Sequence, residues 1–382
     1  MSVGTKQADR VTVVSASLSH GGAERVAIDL CCHLLDAGRN VMLLTLSGDM
    51  SDSYRVPEGV LRKRLEARLL PPSIFHRLWY LVGRVIALRR NIKAYAPDVV
   101  VAFIDKVNIL VLVSLLGTGI PVVVSERLHP AHNPIARVWK LARRLIYPLA
   151  RAVTVQTEDG AEWFRQHSSI KHPVVIVNAV RYLRDFDGTA GPAAGNDEAA
   201  VPRPFVLAVG RLAEQKGFDL LFDAFHRSGL AAAGWRLVVL GEGPEREALE
   251  RQADVLGIRA AILMPGFVDV GPFLRKADLF VMSSRYEGFP NALLEAMQVG
   301  LPCISFDCPS GPRDLMMDGR GGILLPPQDV AALASALTRM AADPDLRKRL
   351  GAAAAEVNER FSQTRIYGKW LALFDDIVAG KG

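Results

Sequence analysis

The alternation of short apolar runs with longer amphipathic segments constrains the fold of this 382-residue chain more than any other feature. Runs rich in β-branched residues, such as VTVVSAS at 11–17 and PDVVVAFI at 97–104, are separated by segments with helical periodicity. This order predicts βαβ units on a parallel sheet. The same order restarts after Pro204 with FVLAVGRL and continues through RLVVLGEG and ADLFVMSS. The sequence therefore predicts an α/β protein with two doubly wound domains.

A linker separates the two predicted domains. Residues 185–204 are dense in glycine, alanine, aspartate and proline and show no hydrophobic period, which is typical of an exposed connection. We therefore predict one Rossmann-like domain over residues 1–184, a second over 205–362, and a C-terminal helix over 363–382 that can pack across both. Ligands of open α/β sheets bind at the carboxyl ends of the strands, so we expect a site in the crevice between the two domains.

Neither a membrane span nor a secretory signal is evident. The longest apolar run, residues 109–120, is about a dozen residues, short of the ~20 that a spanning helix needs, and it predicts a buried helix. The polar start lacks the apolar core of a signal peptide, so we expect the protein in the cytosol. The four cysteines fit no metal spacing and lie in apolar segments, which predicts reduced packing residues: Cys31, Cys32, Cys303 and Cys308.

Two glutamates mark the segment SRYEGFPNALLEAM, residues 284–297. Asn291 is a good helix N-cap, and the helix formers after it predict a helix whose first N–H groups can seat a phosphate. Glu295, one turn into that helix, can accept hydrogen bonds from the vicinal hydroxyls of a ribose. Glu287, in the loop before it, can reach hydroxyls beyond a diphosphate. Each glutamate alone also fits a solvated surface residue, whereas the pair favours a ligand.

Two cations strengthen that interpretation. The segment VGRLAEQKG, residues 209–217, closes the first strand of the second domain and puts Arg211 and Lys216 on a strand-to-helix loop. Their charges can neutralise a diphosphate and stabilise it as a leaving group without a metal ion. One ligand that needs both carboxylates, the helix end and the two cations is a nucleotide diphosphate sugar.

The order of GGAER, GRLAEQKGFDLLFDAF, LGEGPEREALE, PGFVDV and EGFPNALLEAM resembles, over nearly the whole chain, the retaining glycosyltransferases of family 4, which have the GT-B fold. The resemblance implies that Arg211 and Lys216 bind the donor diphosphate. It assigns the ribose to Glu295 and the donor sugar to Glu287. The further donor contacts that it implies are Gly21, Gly22, Gly266, Phe267, Val268, Gly288, Phe289, Pro290, Asn291, Ala292 and Leu293.

The first domain departs from the family pattern in one loop. The family commonly carries a histidine after a later strand, near the reacting sugar, where this chain reads VSERLH, residues 124–129. We place Glu126 and Arg127 at the crevice as catalytic candidates, with His129 as a possible substitute for the family histidine. An ordinary loop ion pair is the alternative. The Gly21-Gly22 pair, taken alone, equally fits a tight turn.

The resemblance also implies the mechanism. Transfer with retention at the anomeric carbon can proceed through a covalent intermediate or by a front-face route. In the front-face route, which is usually assigned to the family, the leaving phosphate helps to deprotonate the acceptor. No residue stands out as an enzymic nucleophile. Asp185 and Asp187 form a DxD pair of the kind that binds metal ions, but the pair lies in the linker, so we expect no metal ion. No dinucleotide-binding fingerprint is complete, so we expect no nicotinamide cofactor.

Basic residues are concentrated in the first domain. Residues 1–184 carry 25 lysines and arginines against 14 acidic residues, whereas residues 185–382 carry 21 against 26. Two basic clusters alternate with apolar residues, which suits an anionic membrane surface. We expect the membrane or the acceptor to contact Arg77, Arg84, Arg89, Arg90, Lys140, Arg143 and Arg144. A solvated helix face is the alternative; no nucleic-acid module is present, so we expect no nucleic-acid partner.

The sequence thus predicts a retaining, metal-independent transferase that moves a hexose or N-acetylhexosamine from a nucleotide diphosphate sugar, preferably UDP-linked, to a polyprenyl-diphosphate-linked saccharide. We expect it as a peripheral protein on the inner face of the plasma membrane, acting in bacterial polysaccharide or glycan assembly. The alternatives are a GDP-mannose-dependent mannosyltransferase, a sugar-nucleotide epimerase of the same fold, and a non-enzymatic nucleotide-sugar-binding subunit.

Overall fold

The structure is a computed structural model that describes residues 7–18, 22–47, 52, 54–65, 74–131, 135–181 and 201–380, with the backbone alone for 74–78. Gly21, the side chain of Arg77 and residues 185–200 of the predicted linker, with Asp185 and Asp187, lie outside the described residues. The chain divides into two compact units, residues 1–178 with 364–382 and residues 179–363.

The described part of the first unit is built on seven parallel strands. In chain order they are β1 (Arg10–Ser15), β2 (Asn40–Thr45), β3 (Leu61–Arg64), β4 (Val99–Phe103), β5 (Val122–Ser125), β6 (Ala152–Val155) and β7 (Val174–Val175). Their order across the sheet is β3-β2-β1-β4-β5-β6-β7. Strands β4 and β5 bury every residue, as parallel strands covered on both faces do.

Within the residues described above, five α-helices connect these strands: α1 (Gly22–Asp36), α2 (Ile74–Tyr95), α3 (Asp105–Ser114), α4 (Arg137–Ile146) and α5 (Glu158–His167). Helix α3 contacts both α2 and α4, so the three form one layer on the sheet. The buried helix predicted over residues 109–120 is confirmed as far as Ser114. Beyond it, Gly117 and Gly119 have positive φ angles and turn the chain towards β5.

The second unit has six parallel strands: β8 (Phe205–Val209), β9 (Arg236–Leu240), β10 (Ile262–Gly266), β11 (Leu279–Met282), β12 (Cys303–Phe306) and β13 (Ile323–Leu325). They lie in the order β10-β9-β8-β11-β12-β13. The helices are α6 (Phe218–Arg227), α7 (Arg246–Val255), α8 (Gly271–Lys276), α9 (Asn291–Gln298), α10 (Pro312–Leu315), α11 (Val330–Ala342), α12 (Pro344–Ala354) and α13 (Val357–Arg360).

The last helix, α14 (Gln363–Val378), packs in the first unit from Thr364 onward. Its Trp370 is buried with the ring centroid 6.1 Å from that of Phe103, and Asp375 accepts hydrogen bonds from Ala8 N and Arg39 Nη2 at 2.8 and 2.9 Å. The cysteines are free; Cys32 is half-buried, and the other three are buried.

Candidate functional site

The carboxyl edge of the second sheet has a point where the chain order reverses. Strand β8 is followed by β9 and β10 on one side, whereas β11, its other neighbour, is followed by β12 and β13 on the opposite side. The loops after β8 and β11 therefore leave the sheet in opposite directions. In open α/β sheets ligands bind in the crevice at this point. The loops here are the two segments, 210–217 and 283–290, that the sequence marked as ligand-binding.

Lys216 and Glu287 meet across this point. Lys216 Nζ lies 2.7 Å from Glu287 Oε1, and Ser284 Oγ donates a hydrogen bond of 2.5 Å to the same oxygen. The carboxylate is 95% buried. Within the described part of the chain no donor binds Oε2, so this oxygen is the one that can accept a hydrogen bond from a ligand. The structure thus brings two predicted site residues together and fixes the carboxylate from one side.

A second set of contacts, which the sequence did not indicate, ties the same two loops together. Arg285 donates to both carboxylate oxygens of Asp219 at 2.8 and 2.7 Å, and Ser283 Oγ donates to Lys216 O at 3.0 Å. Gly217 has a φ of 62°, and a Cβ there would lie 2.2 Å from Ser283 O. Only glycine allows the two backbones this close, so the approach of the two loops depends on Gly217.

The start of α9 provides free N–H groups. The first i to i−4 bond of the helix runs from Leu294 N to Pro290 O at 3.0 Å. The N–H groups of Ala292 and Leu293 therefore have no helical carbonyl to bind, and they lie at the positive end of the helix dipole. An anion such as a phosphate is stabilised at this position.

The prediction that Asn291 caps this helix is wrong. Pro290 is the cap residue, and no side-chain hydrogen bond caps the helix. Asn291 is already the first helical residue, because the carbonyl of Pro290 accepts the first helical bond. Gly311 packs against this point: a Cβ on it would lie 2.5 Å from Pro290 Cδ. The neighbouring loop therefore holds the helix start.

Glu295 and Arg211 differ in their surroundings. Glu295 is buried, and its Oε1 lies 3.9 Å from Arg181 Nη1, so it is not a solvated helix residue. Gln298 holds Arg181 by two bonds to its backbone, at 3.0 and 2.5 Å. Arg211 is exposed on the loop after β8.

The remaining predicted donor contacts follow β10 or precede α9. Gly266 is buried with a φ of 89°, Phe267 is 53% exposed, and Val268 is half-buried. Gly288 and Phe289 are buried in the loop before α9. All of these residues lie at the carboxyl edge of the second sheet, and their roles towards a donor remain predictions.

In the first unit, Glu126 directly follows β5, and its carboxylate points into the interior. It is 2% exposed, accepts a hydrogen bond from Tyr147, and lies 4.0 Å from Arg143 Nη1. Asn108 Nδ2 donates to Tyr147 Oη at 2.9 Å. Burial raises the pKa of Glu126 to about 7, although Arg143 and Tyr147 oppose this shift. The described residues enclose this carboxyl, and its catalytic role stays a prediction.

Arg127 and His129 are also buried. Arg127 donates to Asn178 Oδ1, and its guanidinium lies 5.6 Å from the ring centroid of Phe103; burial lowers its pKa to about 10. His129 Nε2 lies 3.2 Å from Asp159 Oδ2. Glu126 and Arg127 thus bind different partners and do not form an ion pair with each other. Gly22 is the first residue of α1.

The predicted basic surface needs three corrections. Arg143 is 5% exposed and lies over the Trp163 ring at 5.2 Å, because it belongs to the inner face of α4. Arg84 donates to Leu46 O at 2.5 Å, and Arg89 donates to the carbonyls of Ser114 and Leu116 at 2.9 and 2.8 Å. These two guanidiniums therefore bind the unit's own backbone. Among the members whose side chains the structure describes, the exposed ones are Arg90, Lys140 and Arg144.

Comparison with known proteins agrees with this architecture. The family model described as Glycosyltransferase Family 4 matches residues 20–181, and the model described as Glycosyl transferases group 1 matches residues 196–357. The chain belongs to glycosyltransferase family 4. Its two doubly wound units are those of the GT-B fold, so the predicted family, fold and enzyme class are confirmed.

Several similar proteins have known roles. A Campylobacter jejuni alpha-1,4-N-acetyl-D-galactosaminyltransferase that acts on an undecaprenol-PP-linked glycan is 25% identical over 96% of this chain and 99% of its own length. The lipopolysaccharide core biosynthesis glycosyltransferase LpsD of Rhizobium meliloti is 29% identical over 94% and 97%. The solved structure of Anabaena HepE in complex with UDP superimposes with a TM-score of 0.75, at 19% identity, over 96% of this chain and 100% of HepE.

No helix within the described ranges combines the length and the hydropathy of a membrane span.

Proposed function

We propose that this glycosyltransferase moves a hexose or N-acetylhexosamine from a UDP-linked donor to a polyprenyl-diphosphate-linked saccharide, with retention at the anomeric carbon and without a metal ion. The observation that carries the donor site is the Lys216–Glu287 pair at the reversal point of the second sheet, 2.7 Å apart. The first-turn N–H groups of α9 begin four residues after Glu287. A cation, a fixed carboxylate and a helix N-terminus at one edge suit the phosphates and the sugar of such a donor.

The proposed acceptor and the proposed nucleotide of the donor are inferred from similar proteins. The Campylobacter enzyme acts on an undecaprenol-PP-linked glycan, LpsD is named for lipopolysaccharide core synthesis, and HepE is solved with UDP. These names favour a bacterial lipid-linked glycan as acceptor and UDP as the base-bearing part of the donor.

In the proposed reaction, the bond between the anomeric carbon and the diphosphate oxygen breaks while the acceptor oxygen bonds to the same face of that carbon. The acceptor proton passes to the departing phosphate. Lys216, Arg211 and the N-terminus of α9 stabilise the negative charge that develops on the diphosphate. Glu287 Oε2 holds a sugar hydroxyl, because Oε1 is already bound by Lys216 and Ser284.

The proposed location is the inner face of the plasma membrane, held by the layer of α2, α3 and α4. Neither α2 nor α4 contains an acidic residue. Exposed apolar side chains project from both helices: Trp79, Val82, Ile86, Val138, Leu141 and Leu145. An apolar and basic helical surface of this kind binds anionic membranes.

The test is incubation of the purified protein with a panel of UDP- and GDP-sugars, with and without a polyprenyl-diphosphate monosaccharide. Mass spectrometry of the lipid should show a gain of one sugar with a UDP-sugar. NMR of the product should show that the new glycosidic bond has the same anomeric configuration as the donor sugar. A gain with GDP-mannose alone would overturn the proposed donor. Inversion would overturn the stereochemistry, and loss of turnover in EDTA would overturn metal independence.

A matched pair of variants separates the site from general damage. Lys216→Ala should slow the mass gain by about 100-fold or more, whereas Lys348→Ala, at an exposed lysine on α12 of the same unit, should leave its rate unchanged. Sugar-nucleotide conversion without an acceptor would identify an epimerase and contradict the proposal.

A further inference from the structure

A cavity of about 220 Å³ opens between α4 and α5 in the first unit. Its lining is cationic and aromatic: Pro130, Ala131, Lys140, Arg143, Arg144, Trp163, Phe164, His167, Ser168 and Ile170. None of these residues is acidic. Because a water molecule in the liquid takes about 30 Å³, the cavity has room for a phosphate group with several waters.

Arg143 forms the fixed cationic wall of this cavity. It is 95% buried, and its guanidinium is stacked 5.2 Å from the ring centroid of Trp163. Nη2 donates to Pro130 O at 3.5 Å, whereas Nη1 is buried without a hydrogen bond, 4.0 Å from the carboxylate of Glu126. A buried guanidinium with an unused donor is costly, and an anion in the cavity beside Arg143 would offset the buried charge.

Two further cations stand at the rim. Lys140 and Arg144 are exposed, and they lie three residues before and one residue after Arg143 on the same helix. Neither forms an ion pair with any residue that the structure describes. Three cations surround one opening, and the lining contains no carboxylate. This arrangement suits an oxyanion that accepts several hydrogen bonds, such as phosphate.

The outer face of the same helix indicates where that phosphate comes from. Val138, Leu141 and Leu145 are 67%, 57% and 63% exposed, and they follow one another at helical spacing. On α2, in the same helical layer, Trp79 is 76% exposed. Such a surface places its apolar side chains at the boundary between headgroups and acyl chains, which brings the rim cations to the depth of the lipid phosphates.

We propose that the cavity between α4 and α5 binds the phosphodiester headgroup of an anionic phospholipid, with Arg143 as its wall and Lys140 and Arg144 as its rim. This inference deepens the proposed function, because it names the lipid chemistry that holds the enzyme on the membrane that carries its acceptor. The apolar ridge Val138–Leu141–Leu145 enters the bilayer beside the bound headgroup.

The first experiment titrates the full-length protein with dihexanoyl-phosphatidylglycerol below its micelle concentration, and with dihexanoyl-phosphatidylcholine. We expect saturable binding of phosphatidylglycerol and no binding of phosphatidylcholine. The double variant Lys140→Glu/Arg144→Glu should lose the binding of phosphatidylglycerol. The matched control, Lys93→Glu/Lys106→Glu, changes the charge of the same layer equally at two exposed lysines outside the cavity and should keep that binding. Equal loss in both double variants, or binding of neither lipid, would overturn the inference, as would binding of geranyl diphosphate but not of phosphatidylglycerol.

The second experiment uses sedimentation with vesicles of phosphatidylcholine, with and without phosphatidylglycerol. Charge reversal at Lys140 and Arg144 should weaken binding to the anionic vesicles at least tenfold, since each basic residue contributes about 1 kcal/mol there. Nucleotide sugar and acceptor are absent, so a protein that binds vesicles but transfers no sugar contradicts the proposed function alone. A protein that transfers sugar in detergent but binds no anionic vesicle contradicts this inference and the proposed membrane location, and leaves the proposed sugar transfer standing.

Discussion

Arg285 binds both carboxylate oxygens of Asp219, at 2.8 and 2.7 Å, and thereby joins the loop after β11 to the first turn of α6. The two residues are 66 positions apart in the chain. Lys216 and Glu287 lie on the two segments that this pair connects. The position of the candidate site therefore depends on an ion pair outside it.

Removal of either partner should loosen both loops. We expect Asp219→Ala and Arg285→Ala each to lower kcat/KM for sugar transfer roughly tenfold, the size of a lost charge-assisted hydrogen bond. The double variant should lose no more than the worse single variant, because the two residues act as a unit. Steady-state kinetics on the four proteins measure this coupling.

A surface ion pair in the same unit is the control. Arg251 and Glu247 are 71% and 87% exposed, and their removal should leave kcat/KM unchanged. Additive losses at Asp219 and Arg285 would contradict the coupling.

Lys216 should contribute much more to transfer than its neighbours. Its ammonium is held by Glu287 and stands where the proposed diphosphate charge develops. We expect Lys216→Ala to lower kcat by about 100- to 1,000-fold, as the loss of one preorganised donor does in other enzymes. Release of UDP in the presence of the acceptor is the measurement, and more than a fifth of the wild-type rate in the variant would remove Lys216 from the chemistry.

The close approach of Gly217 to β11 should be intolerant of a methyl group. At a φ of 62°, a Cβ would lie 2.2 Å from Ser283 O, so alanine forces the backbones apart. We expect Gly217→Ala to lower the free energy of unfolding by at least about 2 kcal/mol, as measured by urea denaturation.

Gly229 is the matched control for backbone strain. It has a φ of 71°, and nothing lies within 4 Å of a Cβ there. Gly229→Ala should therefore cost about 1 kcal/mol, the cost of the left-handed conformation alone. Equal losses at the two positions would show that the contact with Ser283 is unimportant.

The buried Glu126 predicts a pH dependence of stability in the first unit. The unfolded carboxyl ionises near 4.5 and the folded one near 7, mainly because burial disfavours the charged form. Between these values the unfolded chain releases a proton that the folded chain keeps. The contribution to stability is therefore complete below pH 4.5 and is lost as the pH rises to about 7, by about 3 kcal/mol.

Glu126→Gln keeps the shape of the side chain and removes its titration. The difference in free energy of unfolding between wild type and variant should change by about 3 kcal/mol between pH 4.5 and pH 8, in favour of the variant at the higher pH. Glu162→Gln, on the surface of α5, should show no such trend. A wild-type carboxyl that titrates below pH 5 by NMR would contradict the raised pKa.

The sheets and their ligand-binding edge could be predicted from the sequence, but the side-chain partners could not. Runs such as VVVAF fix a buried parallel strand, and the loops that follow must lie at one edge. Asp219 and Arg285 belong to different loops, so no local pattern pairs them. The cap of α9 differs from the prediction by one residue, because residue preference favours asparagine at the N-cap, whereas Pro290 occupies that position in the structure.

Helix α4 shows why the basic surface was partly wrong. Trp139, Ala142 and Ile146 follow one helical face, and Val138, Leu141 and Leu145 follow another. Hydrophobic period therefore cannot say which face is buried. The structure packs the first face, partly buried, against the core of the unit, and Arg143 goes inward with it.

The helix that completes the first unit is the last one in the chain. Its Trp370 and Phe374 cover residues of the first unit that precede them by most of the chain length, and the second unit lies between. During synthesis on the ribosome, the second unit emerges whole while the first still lacks α14. The second unit is thus free to fold first, and the domain that is translated first is the last to become native.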